Sequence, residues 1–206
     1  RHLQERIEAD LQFDALSFSI VRNFPMATVR ATSVSVKIGE QSDHLYVNAS
    51  ANEVQLHFNL IDILKKEYLI NRLVIRDGKI VTSLHPDHLK TPVTDNPKTQ
   101  NTSIQFDLQR LNIYDIEINY INPDAGHNHD FHVSEMHLTG SLAKAFEWEI
   151  AKSRILYKDH FFDVNGAFAG EGDDFYMNAM VRGESFRIEE VLNELPGSLT
   201  ADYYRF

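Results

Sequence analysis

Leu73-Val74-Ile75-Arg76-Asp77-Gly78-Lys79-Ile80 is the stretch on which the fold turns. Its pattern, apolar-x-apolar-x-Asp-x-x-apolar, returns as Leu111-x-Ile113-x-Asp115-x-x-Ile118 and as Ile155-x-Tyr157-x-Asp159-x-x-Phe162. Side chains two apart share one face of a strand, and Asp favours a reversal by bonding to its own backbone. Asp77-Gly78 is also a strong short-range hairpin signal, because both residues tolerate the positive φ of a type I′ turn. The stretch therefore predicts a tight antiparallel hairpin over residues 68–84, with Ile75 facing Ile80 and Val74 facing Val81. One face of it carries Leu69, Leu73, Ile75, Ile80 and Leu84, and the other carries Arg72, Arg76, Lys79 and Ser83. That is a sheet apolar on one side and wet on the other. Three such corners, 38 and 44 residues apart, point to a β-architecture built by repetition, although a strand-rich chain also makes this pattern by chance.

Outward from that stretch, the chain alternates strand patterns with turn signals. Leu11 and Phe13 change phase with Leu16, Phe18 and Ile20 around Asp14-Ala15. A phase change needs a bulge or kink, because a one-residue slip exchanges the faces of a strand. Asn23-Phe24-Pro25 breaks this run; a second strand follows over residues 29–38, and Val54, Leu56 and Phe58 mark a third. Asn59 is an N-cap for a short helix over residues 60–66, and a second helix is predicted over residues 186–195, stopped by Pro196-Gly197. Pro86, Pro92 and Pro97 lie in a polar connection over residues 86–102, which divides the chain into possible sub-modules 1–85 and 103–206 of one domain. Beyond it come Ile104-Phe106-Leu108, Ile116-Ile118-Tyr120, Met136-Leu138, Phe162-Val164 and Phe175-Met177-Ala179-Val181, again at strand spacing.

Composition bounds the function. The chain has 206 residues, 43% of them hydrophobic and 24% charged, which is a globular composition. A net charge of −10 argues against a nucleic-acid partner, whose phosphates demand clustered Lys and Arg. The absence of Cys excludes disulfides, thiolate metal sites and a cysteine nucleophile. No apolar run reaches the ~20 residues of a membrane-spanning helix. The chain begins at Arg1 and ends on Tyr203-Tyr204-Arg205-Phe206 at strand spacing, so it reads as a piece of a longer protein.

Nothing here points to catalysis. The best metal candidate is His127-x-His129-x-x-His132, with Asp130 between and His137 beyond. That spacing fits no helical zinc motif, and in a strand it sets His132 on the face opposite His129, so a solvated turn and no metal are expected. Glu171-Gly172-Asp173-Asp174 lacks the Gly and Glu positions of a calcium loop and reads as a turn. Neither Gly-x-Ser-x-Gly nor a phosphate-binding Gly-Lys loop occurs. The aromatic residues fall at strand spacing, where packing is their ordinary use. No cofactor is indicated.

Two stretches carry a resemblance. Residues 54–80, a strand, a short helix beginning Asn59-Leu60, Lys65-Lys66 and a strand reaching Asp77-Gly78, resemble the N-terminal region of AsmA-like proteins. Asn23-Phe24-Pro25 before a Val-rich strand looks like the segment preceding it there. Phe186-Arg187-Ile188-Glu189-Glu190-Val191-Leu192-Asn193-Glu194-Leu195-Pro196-Gly197 is similar to a helix in versions from Bacteroidetes-type bacteria. The family often continues with an Asp-x-x-Gly-x-x-Asn run, whereas His85-Pro86-Asp87-His88-Leu89 lacks that Gly. The resemblance implies a periplasmic protein tethered to the inner membrane by a helix preceding Arg1. It also implies a long curved sheet with an apolar groove, used in lipid transport or outer-membrane assembly, with lipid acyl chains or envelope proteins as partners and no catalytic residues.

The expectation is thus a mainly β chain: an antiparallel curved sheet or groove, partly open and sandwich-like, with two short helices. Leu73, Ile75, Ile80, Phe106 and Ile118 are the residues expected to line a surface for acyl chains, although they would serve a closed core equally well. The rival reading is a secreted β-sandwich adhesion module that recognises carbohydrate or protein.

Overall fold

The computed structural model describes residues 9–20, 24–39, 45–65, 69–84, 107–122, 127–141, 146–171 and 174–183. They form eleven strands: β1 (Ala9–Gln12), β2 (Ala15–Ile20), β3 (Met26–Ile38), β4 (Leu45–Asn59), β5 (Leu69–Leu84), β6 (Asp107–Leu108), β7 (Arg110–Asn122), β8 (His127–Ser141), β9 (Phe146–Tyr157), β10 (His160–Glu171) and β11 (Asp174–Gly183). One helix, α1 (Leu60–Leu64), interrupts them. All strands join one mostly open, curved sheet in the order β3-β4-β5-β7-β8-β9-β10-β11, with β1 and β2 sharing the outer edge of β3 and β6 beside β5. The chain is mainly β, as the alternation of apolar residues requires. The second expected helix, over residues 186–195, lies outside the described residues, as does the turn at Gly172-Asp173.

Two expectations are corrected. The sheet is mixed rather than antiparallel, because β5 pairs parallel with β7 and with β6. Parallel neighbours need a crossover; residues 85–106, outside the described set, connect opposite ends of β5 and β7. Strands from both sides of that connection therefore share one sheet. Second, Asp77-Gly78 is no hairpin. It sits inside the 16-residue strand β5, where Gly78 pairs with Ala51 on one side and with Ile116 on the other. Ile75 pairs with Val54 and Ile113, and Ile80 with Ala49 and Ile118.

The physical reason is a crease crossing the sheet, marked by a left-handed residue in three of its strands. Asp77 and Asp115 both have φ 52° and Ser33 has φ 51°. Asp77 and Asp115 lie level with each other, because Arg76 pairs with Tyr114 and Gly78 with Ile116. Ser33 lies level with Asn52, between the pairs Thr32–Glu53 and Val34–Ala51. The gap between β1 and β2 at Phe13-Asp14 continues the crease, with Gln12 opposite Ser35 and Ala15 opposite Thr32. That gap is the phase change expected around Asp14-Ala15. A single left-handed residue breaks the alternation of side chains without reversing the chain, and Asp tolerates that conformation.

Every strand that crosses this crease shifts its apolar residues by one position. They fall at 73 and 75 and then at 78 and 80 in β5, and at 111 and 113 and then at 116 and 118 in β7. Strand β9 agrees with one face for the shifted residues. Ser153, Ile155 and Tyr157 are two apart in it, and they pair with Met136, Val133 and Phe131 from the two sides of the crease. The faces proposed for residues 72–84 are therefore right for Leu73, Ile75 and Ile80, even though no hairpin produces them. Leu69 departs, because a bulge between the pairs His57–Arg72 and Phe58–Ile70 brings Ile70 to the apolar side instead.

The third corner does reverse. Lys158 (φ 46°) and Asp159 (φ 67°) are consecutive left-handed residues, and Tyr157 pairs with His160 across them. That is the geometry of a two-residue type I′ hairpin. At the other end of the sheet Asn59 caps α1 as expected, accepting a hydrogen bond from the Ile61 amide at 2.9 Å. The best-packed cluster joins Leu108, Leu138 and Trp148, with Leu73, Leu111 and Phe168 against it. Trp148 lies over Gly140, where an added Cβ would fall 2.7 Å from the indole Cδ2. Where β9 and β10 lose register, buried Ser153 bridges the gap, donating to the Val164 carbonyl at 2.8 Å and accepting from the Val164 amide at 3.1 Å.

Candidate functional site: an apolar sheet face

Pairing and alternation place transverse rows of side chains across the apolar face. On one side of the crease Val29, Leu56, Leu73, Leu111, Leu138 and Ile150 form a row over six strands. On the other side runs Val36, Ala49, Ile80, Ile118, Phe131 and Tyr157. Four of the five residues expected to line an acyl surface, Leu73, Ile75, Ile80 and Ile118, thus share this face, two on each side of the crease, and all four are half-buried. Phe106 lies outside the described residues. The face's largest fully buried side chain is Ile116, at 1% exposure, set at the crease against Gly78 and Val133.

The face is open along β2. Leu16, Phe18 and Ile20 pair with Ala31, Val29 and Ala27, so they belong to it, and each is more than half exposed. Among the described residues no second layer packs on this side. The sequence reading placed these three on a strand but missed their part in the face; their pairing with Ala27, Val29 and Ala31 was the missing information. It missed the first half of β4, Leu45 to Glu53, as well. There Ala49, Ala51, Ser50 and Asn48 give too little hydrophobic contrast to show alternation.

One end of the apolar face is aromatic. His129 lies between Tyr120 and Phe131, with ring centroids 6.2 and 6.4 Å away, and its Nδ1 is 2.9 Å from the Tyr157 hydroxyl. Tyr157 stacks on Phe131 at 4.8 Å. The group gives the face a polar handle at this end while leaving its rings available for contact.

The opposite face is wet and held by charge. Arg30 and Arg76 both approach Glu53, at 3.2 and 3.9 Å, and the Arg76 guanidinium covers the Tyr114 ring at 4.1 Å. Tyr114 meets His137 edge-on, and Glu135 pairs with Lys152 at 2.5 Å. This belt spans β3 to β9 just beside the crease. The Lys152 hydrogen bond holds the Glu135 carboxyl below its ordinary value; burial opposes this, and the charges of Lys152, His137 and Arg154 add to it. Burial, and then the charge of Arg72, hold His57 below the ordinary imidazole value. A depressed carboxylate contributes stability that is full above its unfolded pKa and is lost as pH falls through the folded value. Stability to urea is therefore expected to drop on acidification to about pH 4. Glu135→Gln should remove part of that slope, so an unchanged slope would mean that the Lys152 contact is immaterial.

A hollow of about 330 Å³ opens on the wet side, where Lys79, Glu117, Asp130, His132 and Lys158 meet. Its charges are largely engaged with each other: Lys79 lies 3.8 Å from Glu117, His132 lies 3.8 Å from Asp115, and Asn119 donates to Asp130 at 2.6 Å. The histidine segment lies in strand β8 rather than in the solvated turn expected, and its side chains are split between faces, as their spacing requires. His129 sits on the apolar face with Phe131, whereas His132 and His137 face the wet side beside Glu117 and Asn112. Among the described residues no three His, Asp or Glu side chains converge to hold a metal. Metal analysis of protein purified without a His-tag is expected to find no bound zinc; stoichiometric zinc lost in His129→Ala and His132→Ala would contradict this split.

No family model matches the chain, and no curated protein matches it.

Proposed function

We propose that this chain is a non-enzymatic lipid-handling domain that holds acyl chains against the apolar face of its sheet. The observation that carries the reading is the crease. Shifts in five strands keep the apolar residues on one side of the single layer that the described residues form, and the exposed edge at Leu16, Phe18 and Ile20 leads onto that side. A chain folding only to close a core has no need of an apolar strip so long and so thinly covered. Removing acyl methylenes from water gives ~0.8 kcal/mol each, so a long chain is retained without specific polar contacts.

The resemblance of residues 54–80 and 186–197 to AsmA-like proteins supports the same use and rests on those stretches alone. On that reading the domain works in the periplasm of a longer, membrane-anchored protein, in lipid transport or outer-membrane assembly. The carbohydrate- or protein-binding sandwich is the less supported reading, because the described strands lie in one sheet. The test is capture of a photo-crosslinkable phospholipid by the full chain: saturable capture supports the reading, and none at any lipid concentration defeats it.

A further inference from the structure

We infer that two copies of this chain join through the free edge of β11, which pairs antiparallel with itself about a two-fold axis at Asn178. Strand β11 ends the sheet, and its outer side has no partner among the described residues. An open edge is a template for another strand, and natural edges are blunted by Lys, Pro, bulges or shortness. This edge has none of these. It runs over ten residues without Lys or Pro, and every one of them pairs with β10 in unbroken register. Met177 and Val181 lie on the apolar face, where Met177 pairs with Phe168 of the packed cluster. Tyr176 and Met180 lie on the wet face, and all four are more than half exposed.

The sequence of the strand selects its own copy as the partner. Opposed residues of a sheet share a face, so the apolar faces of two copies are continuous only if the two-fold passes through a residue rather than between two. Centred on Asn178, the pairing spans Asp174 to Arg182 and brings those two, the only charged residues of β11, level with each other at both ends. Tyr176 then stands opposite Met180, and Met177 opposite Ala179. Centring on Met177 sets Asp174 opposite Met180, and centring on Ala179 sets Arg182 opposite Tyr176, so neither register matches the charges. A contact in which each residue meets its counterpart in this way closes as a two-fold dimer and adds no further copies. The other edge of the sheet is shared by β1 and β2 and is broken between them at Phe13-Asp14, so it offers no run of this length. Dimerisation joins two apolar faces that are each complete alone, so the inference stands apart from acyl capture.

The experiment is single-cysteine crosslinking of the full chain, which has no Cys of its own. Opposed residues of an antiparallel pair have Cα atoms about 5 Å apart, within reach of a disulfide. Asn178→Cys should therefore give a covalent dimer on mild oxidation. Met180→Cys would stand four residues along the strand from its own copy, about 13 Å away, and should give at least about tenfold less. Wild type should sediment at twice the 23.7 kDa of one chain. Arg182→Asp sets acid opposite acid at both ends and should weaken the dimer about tenfold, and adding Asp174→Arg should restore it. Asn178, Met180 and Arg182 are exposed, so the fold is kept, and circular dichroism verifies this. A monomer at every concentration, as when residues 184–206 of the same chain hold this edge, would overturn the inference. Equal crosslinking of the two cysteine variants, or no rescue by the charge exchange, would do the same. Capture of photo-crosslinkable phospholipid by Arg182→Asp keeps the two ideas apart: it persists if only dimerisation fails.

Discussion

Ile75→Glu abolishes capture of a photo-crosslinkable phospholipid while leaving the strand signal in circular dichroism intact. Ile75 lies in the middle of the apolar face, between Val54 and Ile113, and is half-buried. A carboxylate there keeps access to water in the empty protein, so folding survives. With an acyl chain laid over it, that charge loses its hydration without gaining a partner, which costs several times the ~0.8 kcal/mol of each methylene contact. At least about a tenfold loss of capture is expected. Asn48→Glu is the control: it lies on the wet face opposite Lys37 and Val81, and should capture lipid like wild type. Unfolding of Ile75→Glu would instead make the face a sealed core. Equal loss in both variants would reduce the effect to charge repulsion.

Gly78→Ala destabilises the chain by about 3 kcal/mol, read as a fall in the urea midpoint. A Cβ at this position would stand 2.2 Å from the Ser50 carbonyl oxygen and 3.0 Å from the Cδ1 of Ile116, so two strands must separate to admit it. Neighbouring Asp77 behaves in the opposite way. Its φ of 52° suits glycine, so Asp77→Gly is expected to change stability by less than about 1 kcal/mol. Asp115→Val puts a β-branched side chain at the same φ and should cost about 1–3 kcal/mol. A Gly78→Ala variant with an unchanged midpoint would mean that β4 and β5 do not approach as closely as the crease requires.

These residues also show what the sequence could reveal. Asp at three similar positions signals three left-handed residues, and all three are found. Reversal of the chain depends on the next residue over. Lys158 and Asp159 are both left-handed and the chain turns; Asp77 is left-handed alone and the strand continues. The Asp-Gly pair misled because its glycine has another use, the missing Cβ against Ser50. The face assignment survived the error, since a two-residue turn and a single left-handed residue at Asp77 both put residue 80 on the face of residue 75. The phase change at Asp14-Ala15 was the legible clue: the same shift recurs at residues 33, 52, 77, 115 and 134, and reading it throughout would have drawn the crease. The parallel pairing of β5 with β7 had no local signature, because the alternation of apolar residues in a strand does not say which way its neighbour runs. The exposed edge at β2 was equally silent, since Leu16, Phe18 and Ile20 alternate alike whether covered or bare.

The central claim is that acyl chains lie on one face of this sheet and not the other. Mapping crosslinked residues after irradiation with a phospholipid carrying a photoreactive group in its acyl chain tests it most directly. The account predicts adducts at Leu73, Ile75, Ile80, Ile113 and Ile118, and none at Gln55, Lys79 or Lys152 on the wet face. Adducts spread evenly over both faces, or confined to the wet hollow at Lys79 and His132, would contradict it.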